Sequence, residues 1–319
     1  MEDDIGPVDH PAGVIGTGLM GSGIAALICA AGMEVRVFDI DRSRLAQLPA
    51  QVETIVRDLE EYGLAERGGA DRVRRRLVLA EDLGSFGECD FVLEAVVEDA
   101  AVKRDLYAAV EEVVPPETII ASNTSNIVPS KLVSGTKNPE RFVVAHFWNP
   151  PYAVPLVEVV PAPETSESTI ERTVAWVKRI GNEPVVLKKE VTGFIGNRLQ
   201  YALLREALWL VQRGIASPEE IDHVMTLSLG RRYAVVGPFG TADLGGLDTF
   251  LTISQQLMPD LASDLGPLEV MKKAVADGHV GVRTGRGLLD WPEERSATIL
   301  ARRKEELLRR RYAETKGRA

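Results

Sequence analysis

The sequence predicts an α/β domain on a mainly parallel sheet, followed by an all-α domain. Three observations carry this. Val- and Ile-rich runs alternate with helical patterns from Ala12 to about Val160, the alternation stops after Val191, and "GFIGNRLQYALLREALWLVQRG" then spaces Leu199, Leu203, Ala207 and Leu210 three or four apart. Alternation is the rhythm of parallel strands joined by crossover helices, and three-four spacing is one face of a helix. The strands, in order, are "AGVIG", "EVRVFD", "RLVLA", "DFVLEAV", "TIIAS" and "FVVAHF", then "PLVEVV" and "PVVL". A charged turn, "KKEVTG" from Lys188 to Gly193, marks the boundary and gives domains of 1–190 and 191–319. In the second, Ser217 caps a helix whose first turn holds Pro218, Glu219 and Glu220, all suited to a helix N-terminus. The final helix, "SATILARRKEELLRRRYAETKGRA", has Ile299, Leu307 and Leu308 as a thin apolar stripe and is expected to be solvated or to face another subunit.

Composition narrows the class further. With 319 residues, 45% of them apolar, the chain can bury two cores. A net charge of -10 argues against general nucleic-acid affinity, because surplus Lys and Arg would be needed to meet the phosphates. Cys29 and Cys89 show neither metal-ligand spacing nor a disulfide framework, which fits a reducing, cytoplasmic compartment. The leader "MEDDIGPVDHPAG" is acidic, and no segment reaches the roughly 18 apolar residues of a membrane span. Neither export nor anchoring is expected, and no metal.

The first helix carries the strongest chemical signal. Gly16-x-Gly18-x-x-Gly21 follows an apolar strand and opens a small-residue helix, and a second strand ends in Asp39, eighteen residues after Gly21. That unit is the fingerprint of a Rossmann-type dinucleotide-binding domain. Gly16 permits the tight turn, Gly18 lets backbone N–H groups approach a pyrophosphate, and Gly21 lets the helix lie close on the sheet. With Leu19 and Met20 these residues form the cofactor turn, whose helix N-terminus favours phosphate. Asp39 can accept both ribose hydroxyls of an adenosine and repel a 2′-phosphate, so the expected cofactor is NAD rather than NADP, with Arg42 and Arg44 as nearby cations.

Hydride chemistry needs a base for the hydroxyl proton, and histidine is the usual choice near neutral pH. Of four histidines, His10 lies in the leader, His223 in a second-domain helix and His279 in the turn "DGHVGV". His146 comes at the carboxyl end of a parallel strand, the side on which ligands bind. Glu158 follows in "PLVEVV" after Pro150, Pro151 and Pro155 redirect the chain, so neighbouring segments can bring the two together. By residue type alone, a loop histidine and a strand-edge charge remain the commoner readings.

The ordered motifs decide between them. "DFVLEAVVEDAAVKRDLY", "IIASNTSNI", "AHFWNPP", "LVEVV", "GFIGNRL", "VGPFGTADLGGLDT" and "GVRTGRGLLDW" span nearly the whole chain. Together they resemble the L-3-hydroxyacyl-CoA dehydrogenase family, including the branch of L-gulonate dehydrogenase and lambda-crystallin. The resemblance implies that His146 is the base, Glu158 its orienting carboxylate, and Ser125 and Asn197 the substrate-binding pair. It implies equally that Asn149, Glu98 and Lys103 lie around the nicotinamide half of NAD. Relatives that use CoA generally carry lysines late in the helix after the second strand, where this chain reads "VRDLEEYGLAERGG". The first expectation is interconversion of an L-3-hydroxyacyl-CoA and its 3-ketoacyl-CoA, as in fatty acid metabolism. A second is the same chemistry on a free hydroxy acid, and a third a non-catalytic, crystallin-like scaffold. A homodimer through the C-terminal domain is expected, because relatives pair there and helix 194–213 is too apolar for full exposure.

Overall fold

The structure, a computed structural model, describes residues 10–317, so nearly all of the acidic leader lies outside the described residues. Among the described residues eight strands form: β1 (Ala12–Ile15), β2 (Val35–Phe38), β3 (Leu77–Leu79), β4 (Phe91–Glu94), β5 (Ile119–Ser122), β6 (Phe142–Phe147), β7 (Leu156–Pro161) and β8 (Glu183–Val186). Each coincides with one of the eight expected runs. They make one sheet in the order β3-β2-β1-β4-β5-β6-β7-β8, in which β6 and β7 are antiparallel and every other pair is parallel. The order reverses between β1 and β4, the switch point at which doubly wound sheets bind dinucleotides.

Between the strands run α1 (Leu19–Ala30), α2 (Arg42–Glu61), α3 (Gly69–Arg76), α4 (Ala100–Glu111), α5 (Pro129–Leu132) and α6 (Glu167–Arg179). Alternate strand residues feed two cores. Val14, Phe91, Ile119 and Val143 pack with α1, α2, α3 and α6, whereas Ile15, Val92, Ile120 and Val144 pack with α4 and α5. Helices thus cover both faces, which is why the strands read as continuous apolar runs rather than alternating ones.

The chain divides into two compact units, 1–197 with 303–319, and 198–302. The second unit contains most of α7 (Gly196–Gln212), then α8 (Pro218–Leu227), α9 (Leu229–Tyr233), α10 (Pro238–Gly245), α11 (Leu247–Leu257), α12 (Glu269–Ala276) and the start of α13 (Glu293–Lys316). Ser217 caps α8 as expected, in a reciprocal box with Glu220. No described helix is long and apolar enough to cross a membrane.

The last part of α13 departs from the sequence reading. Expected to belong with 191–319 and to be solvated or subunit-facing, it belongs to the first unit, with most of its side chains exposed and two of them buried. Leu308 is fully buried in the core that also holds Leu59. Arg311 is buried too, donating to Pro151 O at 3.3 Å, Gly181 O at 2.8 Å and Asn182 Oδ1 at 2.9 Å. Burial pulls its guanidinium down to about 10, against Glu314 and Glu183, which act to raise it. The reason is local: two side chains one turn apart, one apolar and one with a donor fork, match an apolar surface bordered by unfilled carbonyls. Arg303 Nη2, two turns before Arg311, donates to Asn149 O at 2.9 Å, and Lys304 pairs with Asp58 at 2.8 Å.

Removing Arg311 strands three acceptors, so Arg311→Ala is expected to lower the unfolding free energy by about 3 kcal/mol. The exposed Arg303→Ala should cost under about 1 kcal/mol. Urea denaturation compares them directly; equal midpoints for the two variants would contradict the buried fork.

Candidate active site

The cofactor turn is shaped by what its glycines exclude. Gly16 has φ of +101°, and a Cβ there would lie 2.6 Å from Ala95 O. A Cβ on Gly21 would come 1.8 Å from Gly16 O, so the turn and the first turn of α1 close only without side chains. A Cβ on Gly18 would meet nothing within 4 Å: the space before that residue is open. Tight backbone behind and open space in front is what a pyrophosphate at a helix N-terminus requires. Leu19 is exposed at the start of α1, and Met20 packs against the core.

Asp39, directly after β2, closes this turn. Its Oδ2 accepts from Thr17 N at 2.7 Å and Thr17 Oγ1 at 2.6 Å, and Oδ1 from Asp41 N at 2.8 Å. Burial pushes the carboxyl up, but these hydrogen bonds and Arg44 outweigh it and hold it below the ordinary range. Three of roughly four acceptor positions are filled within the protein. The expected double acceptance from a ribose therefore narrows to one position unless the Thr17 hydroxyl turns away. Arg42 is committed to Ala80 O and Glu81 O and lies over the Phe38 ring, and Arg44 pairs with Asp41. Neither cation is left waiting for a 2′-phosphate, so the residues present fit NAD.

His146 and Glu158 are directly opposite one another in the antiparallel β6–β7 pair. Nδ1 of His146 lies 2.9 Å from Glu158 Oε2, with both side chains buried. The same oxygen accepts from Trp148 Nε1 at 3.2 Å, while Oε1 accepts from Ile195 N at 2.8 Å and Gly196 N at 3.0 Å at the start of α7. Burial alone would raise the Glu158 carboxyl; hydrogen bonds from His146, Gly196, Ile195 and Trp148 hold it below its ordinary value. An ionised carboxylate at Nδ1 makes that nitrogen the donor and leaves Nε2 with its lone pair. The imidazole is walled by the rings of Trp148 and Phe194, with centroids at 5.6 and 5.5 Å.

The next residue along, Asn197, joins this pair to the second group. Its Nδ2 donates to Ser125 O at 2.9 Å. Ser125 N and Thr124 Oγ1 donate to Glu98 Oε1 at 3.0 and 2.6 Å, and Lys103 Nζ lies 3.5 Å from Glu98 Oε2. The loop bearing Ser125 is tied to β6 as well, through Phe147 N on Asn123 Oδ1 at 2.9 Å. Asn149 follows Trp148, with a cis bond to Pro150.

Lys103, expected beside the nicotinamide, is 1% exposed and its first partner is Glu94, at 2.5 Å. Glu94 also takes Val96 N, Tyr107 OH and Ser122 Oγ, at 2.7, 2.7 and 2.8 Å. Lys103 therefore reaches the site through Glu98. Sequence reasoning missed Glu94, Thr17, Trp148 and Phe194. Glu94 had a signal, an acid ending an apolar strand, the same one that singled out Asp39. Phe194, with φ of 51° and no exposure, had none. Among the described residues, no group of three His, Cys, Asp or Glu is placed to hold a metal ion.

Residues 11–191 match the family model of the 3-hydroxyacyl-CoA dehydrogenase NAD binding domain, and residues 193–291 that of the 3-hydroxyacyl-CoA dehydrogenase C-terminal domain. The lambda-crystallin homolog of Homo sapiens is 34% identical over 83% of this chain and 84% of its own. The crystal structure of 5-formyl-3-hydroxy-2-methylpyridine 4-carboxylic acid 5-dehydrogenase, an NAD+ dependent dismutase, superposes with a TM-score of 0.88 at 31% identity, covering 94% of this chain and 96% of that one. That of (S)-3-hydroxybutyryl-CoA dehydrogenase from Ralstonia eutropha gives 0.74 at 30% identity, covering 89% and 99%. With its glycine turn, its strand order and both domains matched, the chain belongs to the 3-hydroxyacyl-CoA dehydrogenase family and is an NAD-dependent oxidoreductase acting on a hydroxyl group.

Proposed function

We propose that this dehydrogenase acts on the secondary hydroxyl of a small free hydroxy acid, with His146 as the base. The observation that carries the chemistry is the His146–Glu158 register pair, an imidazole with one nitrogen fixed by a buried carboxylate. In the oxidative direction, His146 Nε2 takes the hydroxyl proton as C–O becomes C=O, and the Glu158 charge stabilises the imidazolium. NAD, when bound, supplies the carbon that receives the hydride. The Ser125 hydroxyl and the second N–H of Asn197, whose first is anchored on Ser125 O, are donors for the reacting oxygen as charge develops there. In the reductive direction the same imidazolium returns the proton.

The substrate class rests on the end of α2. Where CoA-using relatives carry lysines, Glu60 accepts from Ala70 N at 2.5 Å, Asp58 holds Lys304, and the Tyr312 ring packs on Gly63. The chain's own C-terminal helix takes part of that surface, and the cation it brings there, Lys304, is already paired with Asp58, which leaves Arg57, Arg74 and Arg75 as exposed cations nearby. The greater whole-chain likeness to a pyridine carboxylate dehydrogenase than to the butyryl-CoA enzyme supports a substrate without CoA. It reverses the order in which the sequence alone ranked CoA thioester and free acid.

A panel at fixed NAD concentration should give turnover with free hydroxy acids and little with acetoacetyl-CoA and NADH; the opposite outcome restores the thioester. His146→Gln should lower kcat by roughly two to four powers of ten with NAD affinity intact, and a near-normal kcat would remove His146 from the base role.

Glu158 makes a separate prediction for stability. Its folded value is depressed, so its contribution is present above the unfolded value of about 4.3 and disappears as pH falls through the folded one. The difference in unfolding free energy between wild type and Glu158→Gln should be largest above about pH 5 and shrink below about pH 4. A constant difference would show that the carboxylate's ionisation is not what stabilises.

We infer, further, that the chain is a homodimer through its second unit. Of that unit's hydrophobic side chains only Leu208, Ala262 and Leu268 are buried, while Phe239 and Leu244 are over 80% exposed and Leu199 and Leu203 remain open on α7. A unit of this size ordinarily closes a core of its own. Sedimentation velocity should give a single species of twice the chain mass, and a monomer at micromolar concentration would contradict it.

A further inference from the structure

We propose that Trp148 is a positioning residue for the His146–Glu158 pair: its indole N–H shares Oε2 with the imidazole and draws part of the carboxylate's charge away from it. The proposal rests on the reading of His146 and Glu158 as a pair and adds a third member.

The geometry has two independent parts. First, the Glu158 carboxylate is saturated. A carboxylate has about four acceptor positions, and here Oε1 takes the Ile195 and Gly196 N–H groups while Oε2 takes His146 Nδ1 at 2.9 Å and Trp148 Nε1 at 3.2 Å. Three of the four donors stay in place whatever the imidazole does. Each neutral donor disperses negative charge, so an imidazolium formed at His146 meets a weaker counter-charge than an unshared carboxylate would offer. Second, the indole is seated rather than merely near. A Cβ on Gly196 would come 2.2 Å from Trp148 Cζ2, so the absence of a side chain at 196 makes the room that lets Nε1 reach Oε2. One residue thus serves twice, its N–H on Oε1 and its bare Cα against the ring whose N–H is on Oε2.

The groups facing the pair are few. Glu158 comes from β7, the Trp148 indole from the turn after β6, and the Phe194 ring with the Ile195 and Gly196 N–H groups from the approach to α7. Glu158 carries the charge among them, so a change in how that charge is divided falls directly on His146. Trp148 therefore sets how readily the base lets go of the proton it takes, without touching the reacting atoms.

The test reads the imidazole itself and needs no substrate. The full chain has four histidines, so ring-labelled histidine gives a simple NMR titration in which His146→Gln assigns the signal. Replacing Trp148 by the benzothienyl analogue, which has sulfur in place of N–H and nearly the same shape, keeps the packing and removes only the donor. The titration midpoint of His146 should then rise by about half to one pH unit, on the order of three- to tenfold in proton affinity, and its Nδ1 proton should move downfield. Trp148→Phe, and Gly196→Ala through displacement of the indole, should move it the same way. An unchanged or lower midpoint in the benzothienyl protein overturns the proposal, even if the Phe and Ala variants shift, because those would then act through packing. Loss of the base role in His146→Gln kinetics is a different result and leaves the titration to stand or fall by itself.

Discussion

At the Glu158 carboxylate three stretches of chain are held to one point. It sits in the middle of β7 and collects donors from β6, from the turn that follows β6, and from the first residues of α7. An ionised carboxylate in a buried strand would cost several kcal/mol if its lone pairs were left empty. Filling all of them turns that cost into a constraint on register, because a slip of β7 by one residue would carry Glu158 to the opposite face of the sheet and away from every partner. The antiparallel pairing, the Trp148 ring and the backbone at 195–196 are thus fixed by one another.

A second carboxylate repeats the device one strand group away. Glu94 ends β4 with Lys103, Tyr107, Ser122 and the Val96 N–H around it, and Lys103 passes the constraint to Glu98 and the Thr124–Ser125 loop. Burial and this neighbouring carboxylate push the Tyr107 hydroxyl well above its ordinary range, so it remains a donor. Asp39, Glu94, Ser122 and His146 all lie at the carboxyl ends of strands, the rim on which an open parallel sheet presents its ligands. The polar groups of the site are anchored at strand ends, and the loops between them inherit a fixed geometry.

Much of this was legible in the sequence, and the reasons differ from part to part. Strands buried on both faces leave continuous apolar runs, so all eight could be read; Gly16 and Gly21 answer backbone constraints that a side chain would violate, and Gly18 and Asp39 were read from their spacing to them. His146 was singled out by its place at the carboxyl end of a strand, and its pairing with Glu158 by the ordered motifs around them, but their register could come only from strand pairing. Two kinds of feature stayed hidden. Lys103 could be numbered but not placed, since its burial depends on Glu94 across the sheet. The end of α13 looked like a solvated helix because one leucine and one arginine carry its packing, a pattern too sparse for periodicity to detect.

That last helix changes how the molecule must be made. The chain leaves the first unit at Asn197, builds the second, and comes back at Arg303, so Leu308 and Arg311 are synthesised only after the whole of the second unit. Domains ordinarily fold in the order of synthesis. Here the amino-terminal domain waits with the place of Leu308 in its core open and the Pro151 and Gly181 carbonyls without the Arg311 donors until the whole of the helical unit has been translated.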